Sequence, residues 1–340
     1  MNIRQVARKA GVSTATVSRI INDSTPVSPK TAERVWRAIR ELNYHPNTNA
    51  RTLASGRSRL LGLIISDIAN PFFPELVKAF EDVALDNNYE VILTNTNYDP
   101  GRMAACVQRI LERKVEGAAI MTSEMDPELI GQLSRRGIPI VFLDVGKVRD
   151  RISNISVDYG EGIREAVDHL SALGHRRVGF ISGPMNLKSA RTRRSAFLRC
   201  LSEYKMTEDE ALVVEGNHRI DGGENAMYRL LQLKNRPTAV LTSNDLTAFG
   251  ALRAIHQARL RVPEDISIVG FDDIDLGQFT QPPLTTVRLP RNELGRAAFT
   301  ALDRILKGES DKGAQFRIRT RLVVRSSTSI APNGKPAVRR

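Results

Sequence analysis

Short apolar runs alternate with helical patterns from residue 60 to beyond residue 270, and this alternation limits the possible folds more than any other feature. Runs that are apolar throughout are typical of parallel sheets whose two faces are both covered by helices. Because the series occurs on either side of a helical pattern at 160–173, we predict two similar α/β subdomains and not one large sheet. The predicted strands are LLGLIIS (60–66), YEVILTN (89–95), EGAAIMT (116–122), IPIVFLD (138–144), RRVGFIS (176–182), ALVVEG (211–216), TAVLTS (238–243) and ISIVGFD (266–272).

The N-terminal segment VARKAGVSTATVSRIIN, at 6–22, follows a different pattern. Gly11 lies between two short apolar helical faces and allows the positive φ of a sharp corner. Ser13 offers a side-chain oxygen that can cap the second helix, and Val17 supplies a core contact from that helix. Together with the small Ala7 on the first helix, this spacing predicts a helix-turn-helix.

A third helix is predicted after Ser28, where a capping residue is followed by proline at the first helical position. The simplest alternative is a plain three-helix bundle with no nucleic-acid partner. Against that alternative, the exposed side of the second helix carries Ser, Thr, Arg and Asn, whose side chains reach phosphates and base edges. Arg19 in particular can contact guanine through two hydrogen bonds.

Positive charge is concentrated in the same part of the chain. Residues 1–59 contain eleven Lys or Arg against three Asp or Glu, which is +8 of the total net charge of +12. A basic cluster is often only a solvated surface, so charge alone does not identify a partner. Charge and helix-turn-helix pattern together predict double-stranded DNA as the partner.

Three stretches of this sequence resemble the DNA-binding headpiece of the lactose-repressor (LacI/GalR) family. They are VARKAGVSTATVSRIIN, VSPKTAERVWRAIRELNYHPN and ARTLASG. The similarity continues to about residue 330, although Gln5 stands where many members have an acidic residue. The resemblance implies major-groove contacts by Thr14, Ala15 and Arg19. It implies phosphate contacts by Ser13, Thr16, Ser18, Asn22, Ser28, Thr31 and Tyr44.

The stretch ARTLASG, at 50–56, is too apolar for a simple flexible linker. Asn47 follows a proline, Ala50 and Leu53 lie three residues apart on one helical face, and Gly56 suits a helix end. A helix of about two turns is too short to be stable alone, so we expect it to fold only when two copies meet on DNA. The resemblance implies that this is a hinge helix whose Leu53 wedges into the minor groove, with Asn47 and Ala50 also at the DNA. The alternative is a linker that happens to contain a leucine.

Polar and aromatic residues follow several predicted strands, and ligands of parallel sheets bind beyond the carboxyl ends of strands. Asn70, Phe72 and Phe73 come after the first strand. Aromatic faces suit sugars or purines and an amide suits hydroxyl groups, and the alternative is that both phenylalanines belong to the core. Asp144, Asn244 and Asp272 end further strands. Any one of them alone could be a helix cap and not a ligand contact. The three together with Arg193 favour a polyol site.

The family resemblance implies an effector site between the two subdomains, formed by Phe72, Phe73, Asp144, Arg193, His218, Asn244 and Asp272. Two positions depart from the family pattern. Val145 stands where sugar-binding members often have arginine, and His218 stands where an aromatic ring is common. The identity of the ligand is therefore left open. His175, in the well-matched stretch HLSALGHRRVGFISG, is interpreted as structural.

The resemblance also implies the domain organisation, in which the body has the periplasmic-binding-protein architecture and the chain crosses three times between Rossmann-like subdomains. The expected boundaries are 1–46 for the headpiece, 47–59 for the hinge helix and linker, 60–330 for the body and 331–340 for a disordered basic tail. Within the body we expect an N-subdomain at 60–159 plus 289–310 and a C-subdomain at 160–288 plus 316–330.

Other classes of protein fit less well. The chain lacks GxGxxG after a strand, GxxxxGK[ST] and GxSxG, and it has no spacing typical of a nucleophile or metal site, so neither catalysis nor a cofactor is expected. A plain sugar-binding protein is opposed by the basic headpiece and by an N-terminus without an apolar signal core. With two cysteines and no apolar run near 20 residues, we expect a cytoplasmic protein without membrane contact.

The sequence thus predicts a transcription regulator, most simply a repressor, that binds a palindromic operator as a homodimer. A sugar-like effector in the cleft would control DNA affinity by favouring one arrangement of the subdomains. The residues leave open the effector, the operator and the sign of the response. The basic tail has no leucine heptads that would support a tetramer.

Overall fold

The computed structural model describes residues 1–22, 26–44, 57–122, 127–144 and 147–332. Within these ranges no helix is both long and apolar enough to cross a membrane. The chain divides into two compact units, Met1–Leu60 and Leu61–Arg340. Each unit has its own hydrophobic core, as expected for separate domains.

The first unit contains a helix-turn-helix followed by a third helix. Gly11 ends the first helix in the left-handed region, with φ of 64°, and so makes the corner predicted from its lack of a Cβ. Val6, Val17 and Val35, one from each helix, are completely buried together. The helices are α1 (Ile3–Ala10), α2 (Thr14–Asn22) and α3 (Pro29–Glu41).

The second unit consists of two six-stranded sheets with helices on their faces. Its helices are α4 (Phe72–Asp86), α5 (Pro100–Glu112), α6 (Pro127–Arg135), α7 (Tyr159–Ala172), α8 (Lys188–Glu203), α9 (Ile220–Leu231), α10 (Asp245–Gln257) and α11 (Arg291–Leu306). Its strands are β1 (Leu60–Ile65), β2 (Glu90–Asn95), β3 (Gly117–Met121), β4 (Ile140–Leu143), β5 (Ile152–Asp158), β6 (Val178–Ser182), β7 (Val213–Glu215), β8 (Ala239–Thr242), β9 (Ser267–Asp272), β10 (Thr285–Arg288), β11 (Gln315–Arg319) and β12 (Arg321–Val323). Short 3-10 helices lie at Glu210–Leu212 and Asp275–Gln278.

The two sheets have corresponding strand orders. The first sheet runs β11-β5-β4-β3-β1-β2 and the second runs β12-β10-β9-β8-β6-β7. Each described strand pairing is parallel except that of β10 with β12. The prediction of two similar parallel-sheet subdomains is therefore confirmed. All eight strands predicted from apolar runs are present, and parallel pairing places their carboxyl ends at one edge of each sheet.

The strands β5, β10, β11 and β12 were not predicted from the sequence. In β5 the polar Ser153 and Asn154 are buried, where the Ser153 hydroxyl accepts from the backbone amide of residue 314 and the Asn154 side chain donates to that of residue 315. The strands β11 and β12 lie at sheet edges and carry exposed arginines, which protect an edge from further pairing but hide the apolar signal of a strand.

The last crossing between subdomains corrects one expected boundary. We expected the chain from 316 onwards to belong to the C-subdomain, but β11 pairs in parallel with β5 in the first sheet. The crossing lies instead at Thr320, between β11 and β12. Thr320 is buried there, where its hydroxyl donates to the carbonyl of Asp158 and accepts from the amide of Gly162.

Candidate functional site

The exposed side of α2 carries the three residues predicted to contact bases. Thr14, Ala15 and Arg19 are all exposed, whereas Val17 and Ile20 on the opposite side are buried in the core. The apolar face of α2 is buried by packing against α1 and α3, and this packing leaves the polar face of α2 exposed. An exposed helix with small side chains and one guanidinium can enter a major groove and contact base edges.

Most of the predicted phosphate-contacting residues lie at the starts of α2 and α3, whereas Ser18 lies in the middle of α2, Asn22 at its end and Tyr44 after α3. The Ser13 hydroxyl oxygen accepts a hydrogen bond from the amide of Thr16 at 3.1 Å and therefore caps α2. Ser28, before α3, donates to the hydroxyl of Thr31 at 2.9 Å. Ser18 and Tyr44 are half-buried. The side chain of Asn22 and the residues Asn47, Ala50 and Leu53 lie outside the described part of the chain.

All eight residues predicted to bind the effector line one cavity between the two subdomains of the body. The space among these residues that protein atoms do not fill is about 580 Å³, including the part that is open to solvent. Strand ends from both sheets meet there because the carboxyl edges of the sheets face each other. The eight are Asn70, Phe72, Phe73, Asp144, Arg193, His218, Asn244 and Asp272.

Phe72 and Phe73 belong both to the core and to the cavity wall. Each side chain is 6% exposed, and their rings meet edge to face with centroids 5.1 Å apart. Asn70 shapes the turn before them, since its Oδ1 accepts from the amide of Phe72 at 3.0 Å. The cavity therefore has a rigid aromatic wall in the first subdomain.

Asp144 uses both carboxylate oxygens within the protein. Its Oδ1 accepts from the amide of Val157 at 2.8 Å, and its Oδ2 accepts from the Tyr159 hydroxyl at 2.7 Å. Burial raises the pKa of Asp144 against the opposing effect of these hydrogen bonds. This geometry indicates that Asp144 mainly orients Tyr159 in the cavity wall.

Arg193 is the basic group at the centre of the cavity. Its guanidinium carbon lies 4.2 Å from the centroid of the Phe271 ring and 4.6 Å from that of Tyr159, an arrangement stabilised by cation–π attraction. One nitrogen donates to the carbonyl of Ser243. The Nε is buried and has no partner among the described residues. Buried donors are nearly always satisfied in native proteins, which makes this N–H a candidate ligand contact.

Asp272 lies opposite Arg193, with a carboxylate oxygen 3.9 Å from a guanidinium nitrogen. Its φ of 114° turns the chain sharply at the end of β9. Burial raises the pKa of Asp272 to about 6, although Arg193 and Arg291 oppose the shift. At neutral pH the site therefore presents an ionised acceptor next to a guanidinium donor, a pair that suits adjacent hydroxyl groups.

Asn244 is a helix cap, which is the alternative considered from the sequence. Its Oδ1 accepts from the amide and the hydroxyl of Thr247, at 3.0 and 2.6 Å, and its Nδ2 donates to the carbonyl of His218 at 3.0 Å. Asn244 therefore holds the loop that carries His218 in addition to lining the cavity. The His218 Nε2 lies 2.8 Å from the Ser243 hydroxyl.

His218 should remain neutral well below pH 6. Complete burial, together with the nearby charge of Arg193, lowers its pKa from 6.5 to about 3. Because the folded pKa is below the unfolded one, the neutral ring contributes stability above pH 6.5 that is lost as the pH falls towards 3. We expect its imidazole NMR signals, assigned with His218→Gln, to show no titration between about pH 8 and 4.5. A midpoint near 6.5 would contradict this assignment.

Several cavity residues were not predicted. Tyr159 was missed because it follows the unpredicted strand β5, and Thr122 because only charged, amide and aromatic residues were considered at strand ends. The Thr122 hydroxyl is buried without a partner among the described residues. Within the same ranges no group of His, Cys, Asp and Glu is arranged to hold a metal ion. The remaining unpredicted lining residues are Ser66, Tyr98, Met121, Leu143, Leu187, Ser189 and Leu289.

Two family models match the chain. The model described as bacterial regulatory proteins, lacI family, matches residues 2–47. The model described as a periplasmic binding protein-like domain matches residues 167–328.

Whole-chain similarities extend over both units. The HTH-type transcriptional repressor PurR of Proteus mirabilis (strain HI4320) is 37% identical over 333 residues, covering 97% of each chain. A structure of the Lac repressor dimer bound to operator and the anti-inducer ONPF has a TM-score of 0.86 and 31% identity, covering 97% of this chain and 99% of that one. A complex of the transcriptional regulator CelR with cellobiose has a TM-score of 0.72 and 30% identity, covering 96% and 99%.

Proposed function

The chain belongs to the LacI family of bacterial regulatory proteins, and from this premise we propose that it represses transcription as a homodimer on a palindromic operator. It is a sequence-specific DNA-binding regulator that responds to a small-molecule effector. The observation that carries the proposal is the combination of an exposed recognition helix with a separate cavity lined by eight predicted ligand-binding residues. We assign it no catalytic activity and place it in the cytoplasm, where its operator would be.

In the proposed DNA complex, α2 enters the major groove with Thr14, Ala15 and Arg19 towards the bases. Arg19 suits guanine through two hydrogen bonds, and Ala15 suits a thymine methyl group. The hydroxyl groups of Ser13 and Thr16 at the start of α2, and those around the start of α3, suit phosphates. Asn47, Ala50 and Leu53 act in the hinge segment, with Leu53 as a minor-groove wedge.

Dimerisation follows from the size of the headpiece. A single small headpiece buries too little surface for tight operator binding, whereas two half-sites joined through the body combine their affinities. The crystal structure of the Lac repressor dimer bound to operator, which has a similar fold, supports this assembly.

The effector is proposed to be a sugar or sugar derivative. The charged pair of Arg193 and Asp272 suits adjacent hydroxyl groups, and Phe72 and Phe73 suit the apolar face of a sugar ring. The neutral His218 adds no positive charge that would favour an anion. The CelR–cellobiose complex is consistent with this class. A purine base is the second candidate, since the same aromatic wall and Asp272 can receive a flat heterocycle.

One experiment tests the function and its sign together. DNA bound by the full-length protein would be selected from a random pool, with and without sugars that include cellobiose and ribose, and with purine bases. We expect a palindromic consensus, binding that weakens steeply with salt, and a change of affinity with one compound class. Enrichment of no sequence would contradict the operator, and indifference to every compound would contradict the effector class.

A further inference from the structure

Arg219 bridges the two subdomains on the solvent side of the cavity. It precedes α9 in the second subdomain, and one of its guanidinium nitrogens donates to the Oδ1 of Asn97 at 2.8 Å. The same nitrogen lies 3.6 Å from the Oδ2 of Asp67. Asp67 and Asn97 follow β1 and β2 in the first subdomain. The contacts therefore join the two walls of the cleft.

The position of this bridge relates it to the cavity. None of the three bridge residues lines the cavity, but each is next in the chain to a residue that does. The Arg219 side chain is 48% exposed and that of Asp67 is 12% exposed. The bridge therefore lies at the rim of the cleft, and the lining neighbours are Ser66, Tyr98 and His218.

The backbone presents these side chains towards each other. Asn97, Tyr98 and His218 have φ of 53°, 58° and 61°, in the left-handed region that non-glycine residues rarely adopt. Such conformations persist only where the surrounding structure holds them, and they concentrate at ligand clamps and switch regions. The Arg219 amide also donates to Asn217 Oδ1 at 3.0 Å, which ties down the start of α9. The two rim segments are therefore pre-shaped for contact.

The strength of the bridge suits reversible closure. A hydrogen bond from a guanidinium to a neutral amide and a longer ion pair, both partly exposed, together hold two surfaces only weakly. A stronger, buried bridge would prevent the effector from entering or leaving the cleft. A weak bridge instead biases the subdomains towards closure and adds to whatever closure the effector itself favours.

We propose that Arg219 is a positioning residue, which holds the cleft closed through Asn97 and Asp67 and so retains the effector. The inference rests on the proposed effector site but concerns the ligand-free protein. Arg219 itself does not line the cavity. Its loss should let the rims separate and should raise the rate at which effector leaves.

The test measures the distance between subdomains in full-length protein without ligand. Spin labels are attached at Ala105→Cys in α5 and Asn225→Cys in α9, two exposed positions, in a background where the buried Cys106 and Cys200 are alanine. Labelled chains are diluted into unlabelled ones, so that each dimer reports one intramolecular distance. Arg219→Met should raise the ratio of long to short distances about fivefold, as expected for loss of a partly exposed ionic contact.

Matched variants separate the bridge from general disturbance. Asn97→Gly removes the acceptor and tolerates the positive φ, and in combination with Arg219→Met it should add little, because both disrupt one contact. Arg253→Met is the control, since Arg253 is exposed and its partner Glu224 lies in the same subdomain. Distance distributions that coincide for wild type and Arg219→Met would overturn the proposal. Opening by Arg219→Met in a protein that binds no compound would instead contradict the proposed effector while supporting the bridge.

Discussion

Arg193→Ala is expected to abolish the effector response while leaving the affinity of the effector-free protein for operator within about twofold of wild type. The substitution removes the buried Nε donor and the guanidinium that stacks on Tyr159 and Phe271. It also removes the guanidinium nitrogen that lies 3.9 Å from the Asp272 carboxylate. Loss of one member of a buried charged pair costs roughly 2–5 kcal/mol in binding, so effector affinity should fall by at least about 30-fold.

Effector affinity would be measured by calorimetry and operator affinity by fluorescence anisotropy, using the compound that emerges from the panel. Asp272→Asn should give the same phenotype, because it removes the ionised acceptor and keeps the shape of the side chain. Arg253→Ala is the matched control, since it deletes an exposed arginine of the same subdomain. If both cavity variants responded at normal effector concentrations, the effector would bind elsewhere.

Leu53→Ala is expected to weaken specific operator binding by roughly 30-fold, because a leucine buried between bases contributes about 2 kcal/mol. Nonspecific binding should stay nearly unchanged, since it depends on phosphate contacts and counterion release and not on wedging. The prediction comes from the stretch ARTLASG, which lies outside the described residues. It therefore tests the proposed hinge helix directly.

The measurement compares operator and random DNA at matched salt for wild type and variant. Leu85→Ala serves as a control because Leu85 is an exposed leucine of α4 in the body, 57% accessible to solvent. Equal losses on operator and random DNA would contradict the wedge. Loss on operator alone, with an unchanged salt dependence, is the expected pattern.

Much of the fold was predictable because its signals are local. Apolar runs located eight strands, and Gly11 with Ser13 located the corner of the helix-turn-helix, where φ of 64° and a capping hydrogen bond are found. The rule that ligands bind beyond strand ends identified six of the candidates that line the cavity, whereas Arg193 was added to them and His218 came from the family resemblance. These predictions succeeded because the residue type alone indicates the local structure, as with apolar residues in a buried strand or glycine at a turn.

The roles within the cavity were not predictable in the same way. An asparagine after a strand fits both a cap and a ligand contact, and only the bonds of Asn244 to Thr247 and His218 distinguish them. Arg193 was a candidate from the sequence, but the unpartnered Nε that makes it a donor depends on packing between distant elements. Thr122 and Tyr159 were missed because nothing in their local sequence indicates a cleft.

The sequence by itself therefore determined the class of the protein, its recognition helix, most of its strands and the pool of candidate ligand residues. The tertiary structure decided where the chain crosses at Thr320, which polar groups stay unpaired and which side chains meet across the cleft. The Arg219–Asn97 contact joins residues 122 positions apart. Periodicity and turn chemistry describe neighbours along the chain, whereas pairing across a cleft depends on how two independently formed sheets are placed together.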